Sequence, residues 1–275
     1  MGTIKKIMAA AAMLITVCIH AQDDARLLPW EQRDRTNAEP IPYQYQREAD
    51  VAWSKTIWRV IDVRQKMNLP FAYEQKPLIE ILHEAAKHGE ITVYDPAIVN
   101  ADQFKKKMDT AEVQLIGERN DSSFVLDVEN PDSEYMQVIH EPLRWDRITK
   151  YRIKEVWFID TRTSTMQVRI MAIAPVMEYY DNNGTYVGDM TMYWIYYPSL
   201  RNMLAKQEVF NAQNESQHYS WEDLFEMRKF ESYITKESNV FDRNIQEYVT
   251  GIDAQLESER IKQELFEKEH DMWNY

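Results

Sequence analysis

The chain has 275 residues, with 45 acidic against 32 basic side chains and a formal net charge of −13 at pH 7. That sign argues against nucleic acid or an anionic membrane surface as the main partner. Only 6 glycines occur, where about 7% of residues is usual, and no G-x-G or G-K-[ST] run is present. The phosphate cradles of nucleotide-binding enzymes are therefore not expected.

Residues 1–21 predict an export leader. Lys5 and Lys6 supply a basic start, Ile7–Ile19 an apolar run, and cleavage is expected between Ala21 and Gln22. The run is too short for a permanent bilayer span. Val17 is bulky where lipoprotein processing before Cys18 wants a small residue. Cleavage removes the only cysteine, so neither a disulfide nor thiol chemistry is expected in the remainder. Residues 22–46 carry Pro29, Pro40 and Pro42 without helical or strand period, which predicts an extended arm with Trp30, Tyr43 and Tyr45 as docking handles.

The block Arg47–Phe71 predicts a long helix. Glu48 and Asp50 sit in its first turn and Arg64 and Lys66 in its last, Asn68 offers a left-handed cap, and Pro70 offers a stop. Ala49, Trp53, Ile57, Val60, Ile61 and Met67 then share an apolar stripe. Trp58 lies about 140° away from Trp53 on that geometry, so it needs a separate cover, from this chain or from a partner.

Pro77–His88 predicts a second helix closed by Gly89. Strands are expected at Ile91–Tyr94, Val113–Gly117, Phe124–Val128, Tyr151–Ile159 and Met166–Ala174, with a hairpin at Asp160–Thr165. Asn182-Asn183-Gly184 predicts a tight hairpin turn, since Asn-Gly supplies positive φ angles. The following Asp189–Tyr197 is apolar or aromatic on both faces and must lie mid-sheet or under a partner. Helices are expected over Ser199–Gln213, Trp221–Lys236 and Asp242–Trp273, the middle one opened by Ser220 with Asp223 as a capping pair. In the last, Ile245, Val249, Ile252 and Leu256 lie nearly opposite Ile261, Leu265 and Met272, so that helix is either broken near Glu257–Glu259 or gripped from two sides. The expectation is an α+β fold: a central antiparallel β-sheet region flanked by an N-terminal helix and a helical C-terminal third. Residues 47–198 form its core, and 199–275 pack on it.

A search for chemistry finds no strong constellation. His83 and His88 in HEAAKH stand five apart, on different helix faces, one residue too many for a zinc pair. Asp181-x-Asn183-x-Thr185 starts like a calcium loop, but Tyr186 replaces its glycine and Met192 its glutamate. There is no G-x-S-x-G elbow. No cofactor, metal or catalytic residue is expected, and the chain reads as a non-enzyme.

Four long strings do carry a resemblance. READVAWSKTIWRVIDVRQKMNLPF at Arg47–Phe71, DRITKYRIKEVWFIDTRTSTMQVRIMAIAP at Asp146–Pro175, LFEMRKFESYITKESNVFDR at Leu224–Arg243 and IKQELFEKEHDMW at Ile261–Trp273 resemble the gliding-motility family GldN, called PorN in non-gliding relatives. The resemblance implies an exported periplasmic subunit of the type IX secretion system of Bacteroidetes. It implies a ring formed with an outer-membrane lipoprotein, GldK or PorK, contact with the periplasmic part of GldM or PorM, and self-association within the ring. Contact residues expected for such a scaffold are Trp30, Trp58, Trp194, Ile261 and Leu265, with burial in the sheet the competing reading for Trp194. The alternative from another class is a soluble periplasmic enzyme or carbohydrate-binding protein, its tryptophans stacking on sugars beside a close carboxylate pair.

Overall fold

The structure, a computed structural model, describes residues 38–97, 101–117, 119–126, 134–141, 143–181, 184–211 and 218–271. The expected leader, its Ala21–Gln22 cleavage point and Trp30 lie outside the described residues. From 38 to 46 the chain has no regular structure.

The block expected as the N-terminal helix is a strand. Strand β1 spans Val51–Asp62 between two short 3-10 turns, Glu48–Asp50 and Lys66–Ala72. Each helical cue has another use. Asp50 pairs with Arg47 and Arg162, and Arg64 turns back on Asp62. Asn68 is buried, and its amide nitrogen donates to the Asp62 and Glu231 carbonyls while its oxygen accepts the Glu231 N–H. Val51, Thr56, Ile57, Val60 and Ile61 are β-branched and suit a pleated surface. Residues five apart on a strand also face opposite ways, so Trp53 and Trp58 still need different covers.

The chain continues with helix α1 (Leu78–Lys87), the short strand β2 (Val93–Tyr94) and helix α2 (Thr110–Gln114). The strand expected at Val113–Gly117 is thus corrected to the end of a helix. Asp109 and Glu112 form a reciprocal capping box that fixes its start. Strands β3 (Arg119–Leu126) and β4 (Glu134–Glu141) pair as a separate two-stranded sheet. Then come β5 (Ile148–Asp160) and β6 (Thr165–Tyr180), joined by the expected hairpin.

The strand expected over Asp189–Tyr197 is two strands, β7 (Tyr186–Thr191) and β8 (Trp194–Tyr196), both paired to β6. The break falls opposite Pro175, which cannot donate to a ladder and instead accepts the Met192 N–H. Beyond it lie helix α3 (Tyr197–Lys206), helix α4 (Trp221–Glu226), strand β9 (Tyr233–Glu237) and helix α5 (Ile252–Asp271). Three C-terminal expectations are corrected here. Helix α3 is shorter than Ser199–Gln213. The helix opened by Ser220 ends at Glu226, and its second half is a sheet strand. The last helix begins after Gly251 at φ +66°, so its break precedes Glu257–Glu259.

The main sheet is antiparallel, ordered β2-β8-β6-β5-β1-β9, with β7 also on β6. Helices α1, α3 and α4 contribute to one cluster with Ile61, Tyr151, Ile153, Ile173 and Ile195 from the sheet. Ile261 and Leu265 of α5 close a second cluster with Ile57, Ile234 and Ile245. A register shift between Lys154 and Glu155 opposite Ile170–Ala172 lets β6 change face: Ile170 joins the first cluster and Ala172 a third, with Ala174 and Trp194. The clean alternation expected from Met166 to Ala172 is therefore interrupted.

His83 of α1 is fully enclosed, its ring edge-on to Trp145 and stacked on Tyr193. Burial lowers its pKa to about 4, Lys87 acting the same way and Glu84 opposing. The fold thus favours neutral imidazole. Its stabilisation is complete above the ordinary 6.5 and is lost as pH falls towards 4, by about 3 kcal/mol. Urea unfolding between pH 7 and 4 is expected to show this slope in the wild type and lose it in His83→Gln.

Candidate functional site

Strand β1 presents two consecutive residues to opposite faces, and each is the centre of a charged cluster. Trp58 pairs across the ladder with Lys154 on β5 and Lys236 on β9. Their ammonium groups lie 5.4 and 4.7 Å from its ring centroid, contacts worth about 0.5–1 kcal/mol each where exposed. The indole N–H donates to Asp102 at 3.0 Å, and Asp102 also pairs with Lys154 at 2.9 Å. Beside it Phe104, at φ +58°, packs edge-on against Tyr94 and Tyr196. The segment after Ala101 is therefore the cover that Trp58 needed, supplied by the same chain.

Arg59 faces the other way, into the region under α5. Its guanidinium lies 3.2 Å from Glu155, which is fully buried. Arg228 grips the same carboxylate with two bonds, at 2.8 and 3.2 Å, and the Trp157 indole donates to it at 3.0 Å. Two cations thus share one anion. Burial lowers the Arg59 pKa, with Glu155 opposing.

Arg228 reaches Glu155 from a position that usually belongs to glycine. It follows the α4 cap at φ +53°, and the bonds Arg228 N–H to Phe225 and Lys229 N–H to Leu224 form a Schellman closure. A left-handed arginine costs about 1–3 kcal/mol, and the bidentate grip on a buried carboxylate offsets that cost.

Of the residues expected at partner contacts, Trp58 is half-buried and Trp194 is buried in the third cluster. Ile261 and Leu265 are enclosed beneath α5. The structure does not bring these four to one surface. The arm handle Tyr43 does dock, but onto this chain. Its ring lies between the Arg169 and Arg201 guanidiniums at 3.9 and 3.8 Å, and its hydroxyl donates to Glu226 at 2.5 Å. Burial, then the Glu226 bond, raises its pKa.

Two adjacent, widely exposed apolar residues were missed in the sequence. Val240 is 96% and Phe241 72% exposed, on a turn built by Asn239. The Asn239 amide nitrogen donates to the Glu237 and Arg243 carbonyls, and its oxygen accepts the Phe241 and Arg243 N–H groups. Such self-capping is an ordinary role of asparagine in turns. That signal was available in the gap between the expected helices Trp221–Lys236 and Asp242–Trp273.

Among the described residues no group of three or more His, Cys, Asp or Glu side chains could hold a metal ion. No described helix is long and apolar enough to cross a membrane. The family described as gliding motility associated protein GldN matches residues 46–274. The chain belongs to the GldN family. It is thereby a component of the gliding-motility and type IX secretion machinery, from a family of structural parts not known as enzymes. Among curated proteins, none matches this GldN-family chain.

Breaking the Glu155 cluster is expected to separate two effects. Glu155→Gln leaves two guanidiniums without their anion and should destabilise by about 3–5 kcal/mol in urea unfolding. Arg228→Gly loses the grip but relieves the left-handed strain, so a loss of about 1–2 kcal/mol is expected. Equal losses would show that the strain is not released.

Proposed function

We propose that this chain is a non-enzymatic scaffold subunit of the type IX secretion and gliding machinery, acting in the periplasm. In this reading it forms a ring with an outer-membrane lipoprotein of the GldK or PorK type and with further copies of itself, and it meets the periplasmic part of a GldM or PorM type protein. The observation that carries it is the Asn239 turn. A valine and a phenylalanine, 96% and 72% exposed on a turn closed by four Asn239 hydrogen bonds, make a contact whose backbone is already ordered before binding. Trp30 in the arm and the uncovered rim of Trp58 are further contacts in this proposal. Trp194, Ile261 and Leu265 serve it indirectly by seating β8 and α5. The acidic surface keeps the free subunit soluble until it is assembled.

The test is a Val240→Ser/Phe241→Ser double variant expressed with its native envelope partners. Its thermal midpoint is expected to match the wild type within a degree or two, because both side chains already face water. Recovery in the high-mass, lipoprotein-containing fraction of detergent-solubilised envelope should fall several-fold. Unchanged recovery would reject the turn as a contact.

A further inference from the structure

The main sheet has three outer edges, and the chain covers two of them. At β9 the Ile234 N–H is taken by the Ser258 hydroxyl of α5. At β2 the segment 106–108 lies alongside, the Asp95 N–H donating to the Lys106 carbonyl and the Met108 N–H to that of Val93. The third edge, the outer side of β7, has no such cover among the described residues. The Met192 N–H donates to the Pro175 carbonyl. In an antiparallel ladder Met190 and Gly188 then also turn towards β6, and Asp189 and Thr191 turn their N–H and C=O groups outward.

Proteins usually blunt such an edge with lysine, proline or a bulge. The residues of β7, YVGDMT, hold no lysine and no proline, and the register shift beside Val187 breaks only the start of the strand. Tyr179, Tyr186, Val187 and Met190 are all between 42% and 61% exposed. Tyr179 pairs with Gly188 and Met177 with Met190, which sets these four on the face that carries the first core cluster. Gly188 leaves a gap there beside Tyr179: a Cβ at this position would meet nothing within 4 Å. The opposite face is polar, with Asp189 held by Lys150 at 2.6 Å and by the Tyr186 hydroxyl at 2.8 Å.

We infer that the β7 edge takes up an extended strand of a partner protein. The segment is apolar at alternate positions: it lays a large side chain over Gly188 against Tyr179 and keeps polar side chains beside Asp189 and Thr191. Outward main-chain groups select an extended backbone, and a large side chain over an edge glycine fills the surface that the glycine lacks. A second copy of this chain fits the edge less well. Pairing two β7 strands about a two-fold axis on Asp189 sets that carboxylate against its own copy. An axis on Gly188 sets glycine against glycine and leaves the gap empty. The β9 and β2 edges of another copy are already covered. The inference rests on the chain working by protein contact, as proposed above.

The test titrates the full chain into a fluorescein-labelled peptide, Lys-Thr-Val-Thr-Phe-Lys, and follows anisotropy. In the antiparallel register its threonines face Asp189 and Thr191 and its phenylalanine faces Gly188. Saturable binding is expected. Methylating both threonine nitrogens removes the bonds to the edge but keeps charge and side chains, and should weaken binding about tenfold. Gly188→Lys puts a charge on the open edge, as natural edge strands do. It should leave the thermal midpoint within a degree or two and abolish binding of the unmethylated probe. Absence of saturable binding, equal affinity of the two probes, or a Gly188→Lys chain that binds like wild type would each overturn the proposal. A wild-type dimer in sedimentation that Gly188→Lys dissolves would overturn it too, by giving the edge to a second copy. The methylated probe is read on the wild type, so that comparison decides the matter whether or not the variant folds. If the probe fails while the Val240→Ser/Phe241→Ser chain is still lost from the envelope fraction, the edge assignment falls and the scaffold reading stands.

Discussion

The antiparallel ladder between β1 and β5 is the constraint on which the remainder of the chain depends. It runs from Val51 opposite Asp160 to Asp62 opposite Lys150, and β9 adds to the other edge of β1 only at its centre. The register places Lys154 beside Trp58 on one face and lets Arg59 meet Glu155 on the other. A slip of one residue would exchange those faces. It would put the Glu155 carboxylate beside Trp58 and Lys236 and swing Lys154 towards Arg59, which would then have no anion. The two charged clusters therefore help specify the register, and the aliphatic side chains of Ile57, Val60 and Ile61 supply most of the attraction.

The same ladder explains how the C-terminal third is held. It reaches the sheet in three ways: β9 pairs with β1, Arg228 grips Glu155, and Ile261 with Leu265 rest on Ile57 and Ile234. Ser258 adds a direct tie, its hydroxyl accepting the Ile234 N–H. Helix α5 is otherwise wet along most of its length, so a short apolar seam and one buried hydroxyl seat a twenty-residue helix. The result is a helix with open grooves beside it, and the exposed Phe266 sits over one of them.

The sheet was legible where period and turn chemistry agreed. The β5–β6 hairpin, α1 with its closing glycine and the Ser220 cap could all be read from local residues, as could the mixed α+β class. The block Arg47–Asp62 could not, because its apolar positions fit both a 3.6-residue and a two-residue repeat. Charged residues at its ends tipped the choice towards helix. Those charges were committed to tertiary partners invisible in a single sequence, such as Arg162 for Asp50. The Trp221–Lys236 region failed for a related reason. A helix that ends without glycine leaves no mark, and the signal for Arg228 lies 73 residues away in Glu155. Of the contact candidates, periodicity found the apolar residues but not their covers. The Asn239 turn was missed because exposed Val-Phe reads as core.

Arg228 shows how those failures and the register join. A glycine at that position would end α4 without strain, and a lysine could pair with Glu155 only through a single point charge. An arginine fixes the helix end and the start of β9 with one planar group. The strain at φ +53° is tolerated because the guanidinium reaches a carboxylate that already has Arg59 beside it. Stability alone would be met as well by an apolar cluster of the same volume, since a buried ion group is often no better than well-packed hydrophobic side chains. What the ionic version adds is selectivity of pairing, since only one β1–β5 register sets Glu155 between Arg59 and Arg228.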